Sequence, residues 1–423
     1  MCDRCSCYHA LVGGGSTRKA LVITFVVLVV LGIGGLIILQ ASKGRLRPRP
    51  SVLSVEYSAT QAGKRLSDGQ CEDTGVPHKL SISPMKPEDF SIIVPYGLMV
   101  GGHVTPIDHQ YYSPTVFRSP RDTYGVRAMA DSTLVRIQPR VKPAGTEYRM
   151  HFAVTCTFLY YYDLVTSLAP DIQQAYDEAV RSKRPLRISV RAGQLVGRIG
   201  GQTLDFAVWD TTKKLSGFLV PEHYDAEPWK VYTADPLAYV TVGLRSLMLS
   251  KYVRTAEPRS GKIDHDIDGR VVGNWFEKGT GGYEGTRGTS TPAYWTGHLA
   301  IAPDLYDPTA FLISVGSLAP PGDGPSRNQF SLRRAAPNPN TVGVAAGLVR
   351  YELADWRYIK AGGNEWDRLS SATGVRLEND RSPPRGCALV QLMSQRTLKF
   401  ELFLSTPCSA IAGFDAAARV YER

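Results

Sequence analysis

Several signatures of chemistry are missing from this sequence, and each absence removes a class of function. No block of lysine and arginine is interleaved with aromatic residues, so the formal charge of +10 is spread along the chain and does not suit sequence-specific nucleic-acid binding. No G-x-S-x-G element is present, which excludes the usual nucleophile elbow, and no cysteine sits in an activating context. The glycine-rich stretch GTGGYEGTRGT, residues 279–289, has no G-K-[ST] ending and no buried strand before it, so it reads as a loop rather than a phosphate cradle.

Long apolar runs are also scarce, with one exception. Residues 20–39, ALVITFVVLVVLGIGGLIIL, carry no charge, and about twenty helical residues at 1.5 Å each cover a hydrocarbon layer of roughly 30 Å. The expectation is an uncleaved transmembrane helix over 20–40, anchoring a single-pass protein behind an N-terminal tail, 1–19. Arg4, Arg18 and Lys19 precede it and Lys43, Arg45, Arg47 and Arg49 follow it, so the positive-inside count favours a cytoplasmic bulk. The short leading tail and the four cysteines beyond the helix, Cys71, Cys156, Cys387 and Cys408, favour the opposite side, and an extracytoplasmic bulk is the reading adopted. The other cysteines, Cys2, Cys5 and Cys7, stand with His9 on a tail too short to build a metal clip, and are read as a disordered or lipid-modified segment.

After the anchor, the Pro/Arg stretch SKGRLRPRPS opens a stalk assigned to 41–77, with ordered structure expected from about residue 78. From 78 to 213, β-type runs alternate with turn residues: FSIIVPYG, STLVRIQPR, RMHFAVTCTFLYYY, LRISVRAG and TLDFAVWD. One helix interrupts them, PDIQQAYDEAVRSK, with Pro170 in its first turn. A helical connector is assigned to 214–260, where Leu237, Val240, Leu244, Leu247 and Met248 share a face. Strand patterns return over 261–423, and a β-rich sandwich or barrel is expected there. The fold class is therefore mainly β.

The stretch GGHVTPIDHQYY, residues 101–112, places a histidine and an aspartate behind two glycines. It is followed by YGVRAMADSTLVRI, by TFLYYYDL and by AGQLVGRIGGQTLDFAV. In this order the elements resemble the lysostaphin-type zinc endopeptidases, whose β-sheet is a duplicated hybrid motif, over roughly residues 84–210. The resemblance implies a barrel-sandwich hybrid sheet and a zinc ion held by His103, Asp108 and Asp205. It also implies failure of the chemistry. Thr203 and Asp163 stand where that family has its two catalytic histidines, and neither can act as a neutral base or an imidazolium donor near pH 7. Asp205 replaces the third, histidine ligand; one imidazole with two carboxylates suits a harder ion, or zinc held weakly. The alternative for these three residues is an ordinary polar loop, His103 and Asp108, beside an outward strand position, Asp205. His151 is read as a strand-surface residue. Carrier domains with the same sheet type need an exposed lysine on a hairpin, yet none occurs between Lys183 and Lys213.

IDHDIDGR, residues 263–270, imitates the start of a calcium loop, but position twelve counted from Asp264 is Trp275 where a bidentate Glu is required, so a solvated turn is expected. Trp209, Trp275, Trp295 and Trp356 are assigned to the core rather than to sugar stacking. The functional expectation is a membrane-anchored binding or scaffold module of the cell envelope with an inactive peptidase-like domain, its partners the membrane through 20–40 and an envelope polymer or protein, without nucleic acid. The alternative is a metal-dependent endopeptidase of the lysostaphin type using the altered site.

Overall fold

The computed structural model describes residues 58–73, 75–286, 288, 293–319 and 327–423. The apolar run at 20–40 lies outside them. Among the described residues no helix is long and apolar enough to cross a membrane. The described residues lie in one compact unit.

Regular structure is present from Ser58, well before residue 78. Ser58 caps helix α1 (Ala59–Leu66) by a reciprocal capping box with Gln61, a local signal that satisfies two of the helix's first N–H groups. Gly63 lets the helix lie directly on the carbonyl of Cys156, where any Cβ would collide, and the Cys71–Cys156 disulfide fixes this entry segment to the sheet.

Eleven strands follow: β1 (Phe90–Val94), β2 (Gln110–Pro114), β3 (Tyr124–Arg127), β4 (Ser132–Lys142), β5 (Gly145–Ala153), β6 (Phe158–Val165), β7 (Ser167–Leu168), β8 (Ile188–Val190), β9 (Leu195–Ile199), β10 (Leu204–Asp210) and β11 (Thr233–Ala234). An antiparallel sheet runs β1-β2-β10-β6-β5-β4-β8, with β11 paired to β10; β3, β9 and β7 form a separate three-stranded sheet. Helix α2 (Pro170–Ser182) matches its sequence pattern, with Pro170 at the first position and Lys183 ending it in the left-handed conformation. The second expected helix is shortened. Val240 bridges Leu80, and the backbone of Tyr239 and Thr241 bonds Leu80 on both sides, so α3 (Val242–Lys251) starts only after that bridge.

The main sheet is covered on both faces. One face presents Tyr112, Tyr160, Tyr162, Phe206 and Val208 to a core closed by Val126 and Val196 of the smaller sheet and by Ile172, Leu244 and Met248 of the helices. The other presents Leu159, Tyr161, Ala207 and Trp209 to a second core that includes Leu66, Tyr224, Val231, Phe276 and Tyr283. Every residue of β10 is consequently buried. This corrects the surface reading of His151, which is 3% exposed and packs between Tyr161 and Trp209. With both faces covered, period-two alternation has no solvent side to report.

The last ten strands are β12 (Gly273–Glu277), β13 (His298–Pro303), β14 (Phe311–Val315), β15 (Gln329–Leu332), β16 (Val349–Ala354), β17 (Arg357–Lys360), β18 (Val375–Glu378), β19 (Pro384–Ser394), β20 (Thr397–Leu404) and β21 (Arg419–Glu422). Eight of them close a barrel, β12-β13-β14-β15-β16-β19-β20-β21, and β17 pairs with β18 outside it. Of the two architectures expected for this region, the barrel is the one adopted. Alternation explains its filling: Leu299, Ile301, Phe311, Ile313 and Val315 point into the barrel core, while Ala300, Ala302 and Leu312 point outward against Ile92 and Met99. Each large apolar side chain so buried contributes about 1.5–3 kcal/mol before chain entropy is counted.

Candidate functional site

GGH is the tip of a two-residue hairpin. Val100 and His103 exchange both backbone hydrogen bonds, 3.0 and 2.9 Å, and Gly101 occupies the left-handed region at φ 54°. Gly102 leaves room for the Trp295 ring, which a Cβ would meet at 2.9 Å. The following turn, Val104–Asp108, returns the chain to β2.

Sheet order then does what sequence spacing could not. Asp205 on β10 pairs with Tyr111 of β2 on one side and Asp163 of β6 on the other, so three polar side chains stand in one row. Asp108 and His109, just before β2, complete the cluster. His109 Nδ1 lies 3.3 Å from Asp108 Oδ1, and its Nε2 lies 3.3 Å from Asp205 Oδ2 and 3.1 Å from the Tyr111 hydroxyl. The His103 ring stands edge-on to His109, centroids 6.0 Å apart. The sequence reading gave His109 no role, and it is this imidazole that bridges the two carboxylates.

Two further members come from the connector. Trp229 donates its indole N–H to Asp108 Oδ2 at 2.8 Å, and Lys230 Nζ lies 3.1 Å from Asp108 Oδ1. Burial alone would raise the Asp108 pKa, but the Lys230 ammonium and the His109 bond outweigh it and hold the carboxyl well below the usual range. Burial pushes the His109 pKa down against the opposing pull of Asp108. At 3.1 Å and an effective dielectric of ~20, the Lys230–Asp108 attraction is about 5 kcal/mol gross. Desolvating each ion costs a comparable several kcal/mol. The pair therefore specifies this arrangement more than it stabilises the fold, and removing one partner is the costly event.

Asp163 is committed elsewhere. Arg140 grips it through both terminal nitrogens, Nη1 at 2.9 Å, and Arg149 Nε donates to it at 2.6 Å. Its side chain is 2% exposed. Burial would raise its pKa, but the guanidinium groups of Arg149 and Arg140 outweigh that and lower it. Thr203 is half-buried, immediately before β10.

The zinc set implied by the resemblance can be tested against these donors. Both Asp108 oxygens already face N–H or ammonium donors, and Asp108 and Asp205 are each turned toward His109. Among the described residues no group of three or more His, Cys, Asp or Glu side chains is placed to hold a metal ion. As arranged, both Asp108 oxygens are engaged by nitrogen donors and Asp108 does not fit a divalent ion shared with His103 and Asp205.

The aspartates of IDHDIDGR splay apart. Asp264 accepts from the Gly217 N–H and from Lys262, both at 2.8 Å; Asp266 accepts from the Asn274 N–H at 2.7 Å; Asp268 pairs with Arg396 at 3.2 Å. Burial pushes the Asp266 pKa up to about 6, against the opposing charge of Arg423. Instead of a solvated turn, Asp264 and Asp266 pin the 217–219 segment to the barrel. Trp209 and Trp275 are fully buried, as expected, whereas Trp295 and Trp356 are half-buried.

Lys230 and Trp229 escaped the sequence reading because EPWKVY carries no motif. A lysine in an otherwise apolar turn was the available signal.

No protein-family model matches the chain, and no curated protein matches it. Among solved structures it is similar to two of Helicobacter pylori Csd3. The hexagonal crystal gives 17% identity and a TM-score of 0.22 over 32% of this chain and 31% of that one. The orthorhombic crystal gives 16% and 0.24 over 39% and 36%. The chain thus spans about a third of the length of the structures it matches.

Proposed function

We propose that this protein is a noncatalytic binding module of the cell envelope, anchored through residues 20–40, with a lysostaphin-like sheet whose peptidase chemistry is lost. One observation carries the reading. At the two positions where the resemblance implies imidazoles, the chain has Thr203, which cannot serve as a base, and Asp163, a buried carboxylate saturated by Arg140 and Arg149. Neither can shuttle a proton or stabilise a developing oxyanion.

Two facts support the location and the partner. The described cysteines pair as Cys71–Cys156 and Cys387–Cys408, and structural disulfides belong to oxidising compartments. The charge of +10 suits an anionic envelope polymer, which it attracts over a Debye length without sequence-specific contacts.

The test is co-sedimentation of the protein with purified envelope sacculi at low and high salt, with the soluble fraction analysed for released fragments. Binding that weakens with salt, persists in His103→Ala and releases nothing is the expected outcome. Fragment release that depends on added zinc and is abolished by His103→Ala would replace this reading with a hydrolase.

A further inference from the structure

Lys230 is 5% exposed, which is an unusual place for an ammonium. Its Nζ lies 3.1 Å from Asp108 Oδ1, 3.2 Å from Glu227 Oε2 and 4.6 Å above the Tyr283 ring centroid. Besides the turn that carries Lys230 itself, these contacts come from two distant parts of the chain: the turn before β2 and the segment after β12. Anionic oxygens and an aromatic face converging on one point are what a cation site requires. The turn is held in place by β11, which pairs Thr233 and Ala234 with Trp209 and Val208 of β10.

We infer that Lys230 is the resident cation of this site, its ammonium standing where Asp108 would otherwise hold a metal ion, so that this end of the sheet closes without a divalent ion. The inference rests on the noncatalytic reading above and deepens it. A module that does not hydrolyse needs no Lewis acid, but it still has to balance Asp108 and Glu227, and a lysine supplied by the chain does this without dependence on metal supply. It also accounts for why Asp108 points both oxygens at nitrogen donors.

The test combines metal analysis with thermal unfolding of the full chain, untreated, with EDTA and with added zinc. The expected wild-type result is no stoichiometric divalent metal and a Tm that stays within about 1 °C across the three conditions, since a ligand that does not bind the native state cannot stabilise it. Lys230→Met strands two carboxylates, and its Tm is expected to fall by about 5 °C or more. In Asp108→Asn/Lys230→Met both charges leave together, and at least half of that loss should return. Stoichiometric metal in the wild type, stripped by EDTA with a fall in Tm, overturns the inference; so does Lys230→Met unfolding at the wild-type temperature. If neither variant folds, the wild-type measurements decide alone. A metal-loaded wild type that still binds sacculi without cleaving them would refute the role of Lys230 and leave the binding reading standing. A metal-free, folded wild type that does not bind them would do the reverse.

Discussion

The two disulfides close loops of very different size, and that difference sets a quantitative expectation. Cys71–Cys156 spans a sequence separation of 85 and Cys387–Cys408 a separation of 21. In the chain-entropy treatment, each bridge restricts the unfolded ensemble in proportion to the logarithm of its loop. The result is about 4.6 kcal/mol for the first and about 3.3 kcal/mol for the second at 25 °C. The perturbation is the paired substitution Cys71→Ala/Cys156→Ala, compared with Cys387→Ala/Cys408→Ala, in urea unfolding followed by tryptophan fluorescence. Position reinforces the ordering. The first bridge ties α1 and its buried Ala62 and Leu66 to the turn between β5 and β6, so losing it frees the whole entry segment. The second lies at the barrel's edge beside Leu389 and Ile411. The larger loop is expected to cost about 1 kcal/mol more than the smaller. Equal costs, or a reversed order, would refute loop entropy as the source. A wild-type midpoint unmoved by reductant would refute the bridges as a stabilising feature and remove the support they lend to an oxidising location.

Three further outcomes follow from the polar interior. Asp163→Ala removes the carboxylate shared by Arg140 and Arg149, and should lose about 3 kcal/mol or more in the same assay, with Asp163→Asn losing less because its one amide oxygen can still accept from part of that donor set. Burial pushes His151 down to about 3, so below an unfolded pKa of about 6.5 the unfolded chain takes up a proton that the folded chain refuses. Its contribution is fully present above that pH and should be reduced by about 2 kcal/mol at pH 5, read as the difference between wild type and His151→Phe. Asp266 has the opposite sign. Its raised folded pKa of about 6 means the native state binds the proton first, so stability is gained as pH falls from 6 toward 3.8, and Asp266→Asn should remove that gain in a Tm-versus-pH series.

Much of the molecule was legible in the sequence because it is written locally. Pro170 and the spacing behind it specify α2, and alternation in HLAIAP and TLKFELFL specifies barrel strands. The turn residues of GGHVTPID specify a tight return, and His103, Asp108 and Asp205 were singled out together before any geometry was available. The absence of imidazoles at positions 163 and 203 was equally plain. What local pattern could not reveal was covering. His151 and Asp205 looked like solvent positions of alternating strands, yet a second layer lies over that face of the sheet, and both are buried. Nor could it show which residues would meet: His109 became the bridge between Asp108 and Asp205 only when β2 paired with β10. Lys230 reached Asp108 only when β11 docked the connector onto the same strand. Periodicity and turn chemistry depend on neighbours a few residues apart, so the sequence determined the elements and the residue types at positions 163 and 203. The charge balance of Asp108 depends on Lys230, more than a hundred residues away, so that partner was decided by the tertiary structure.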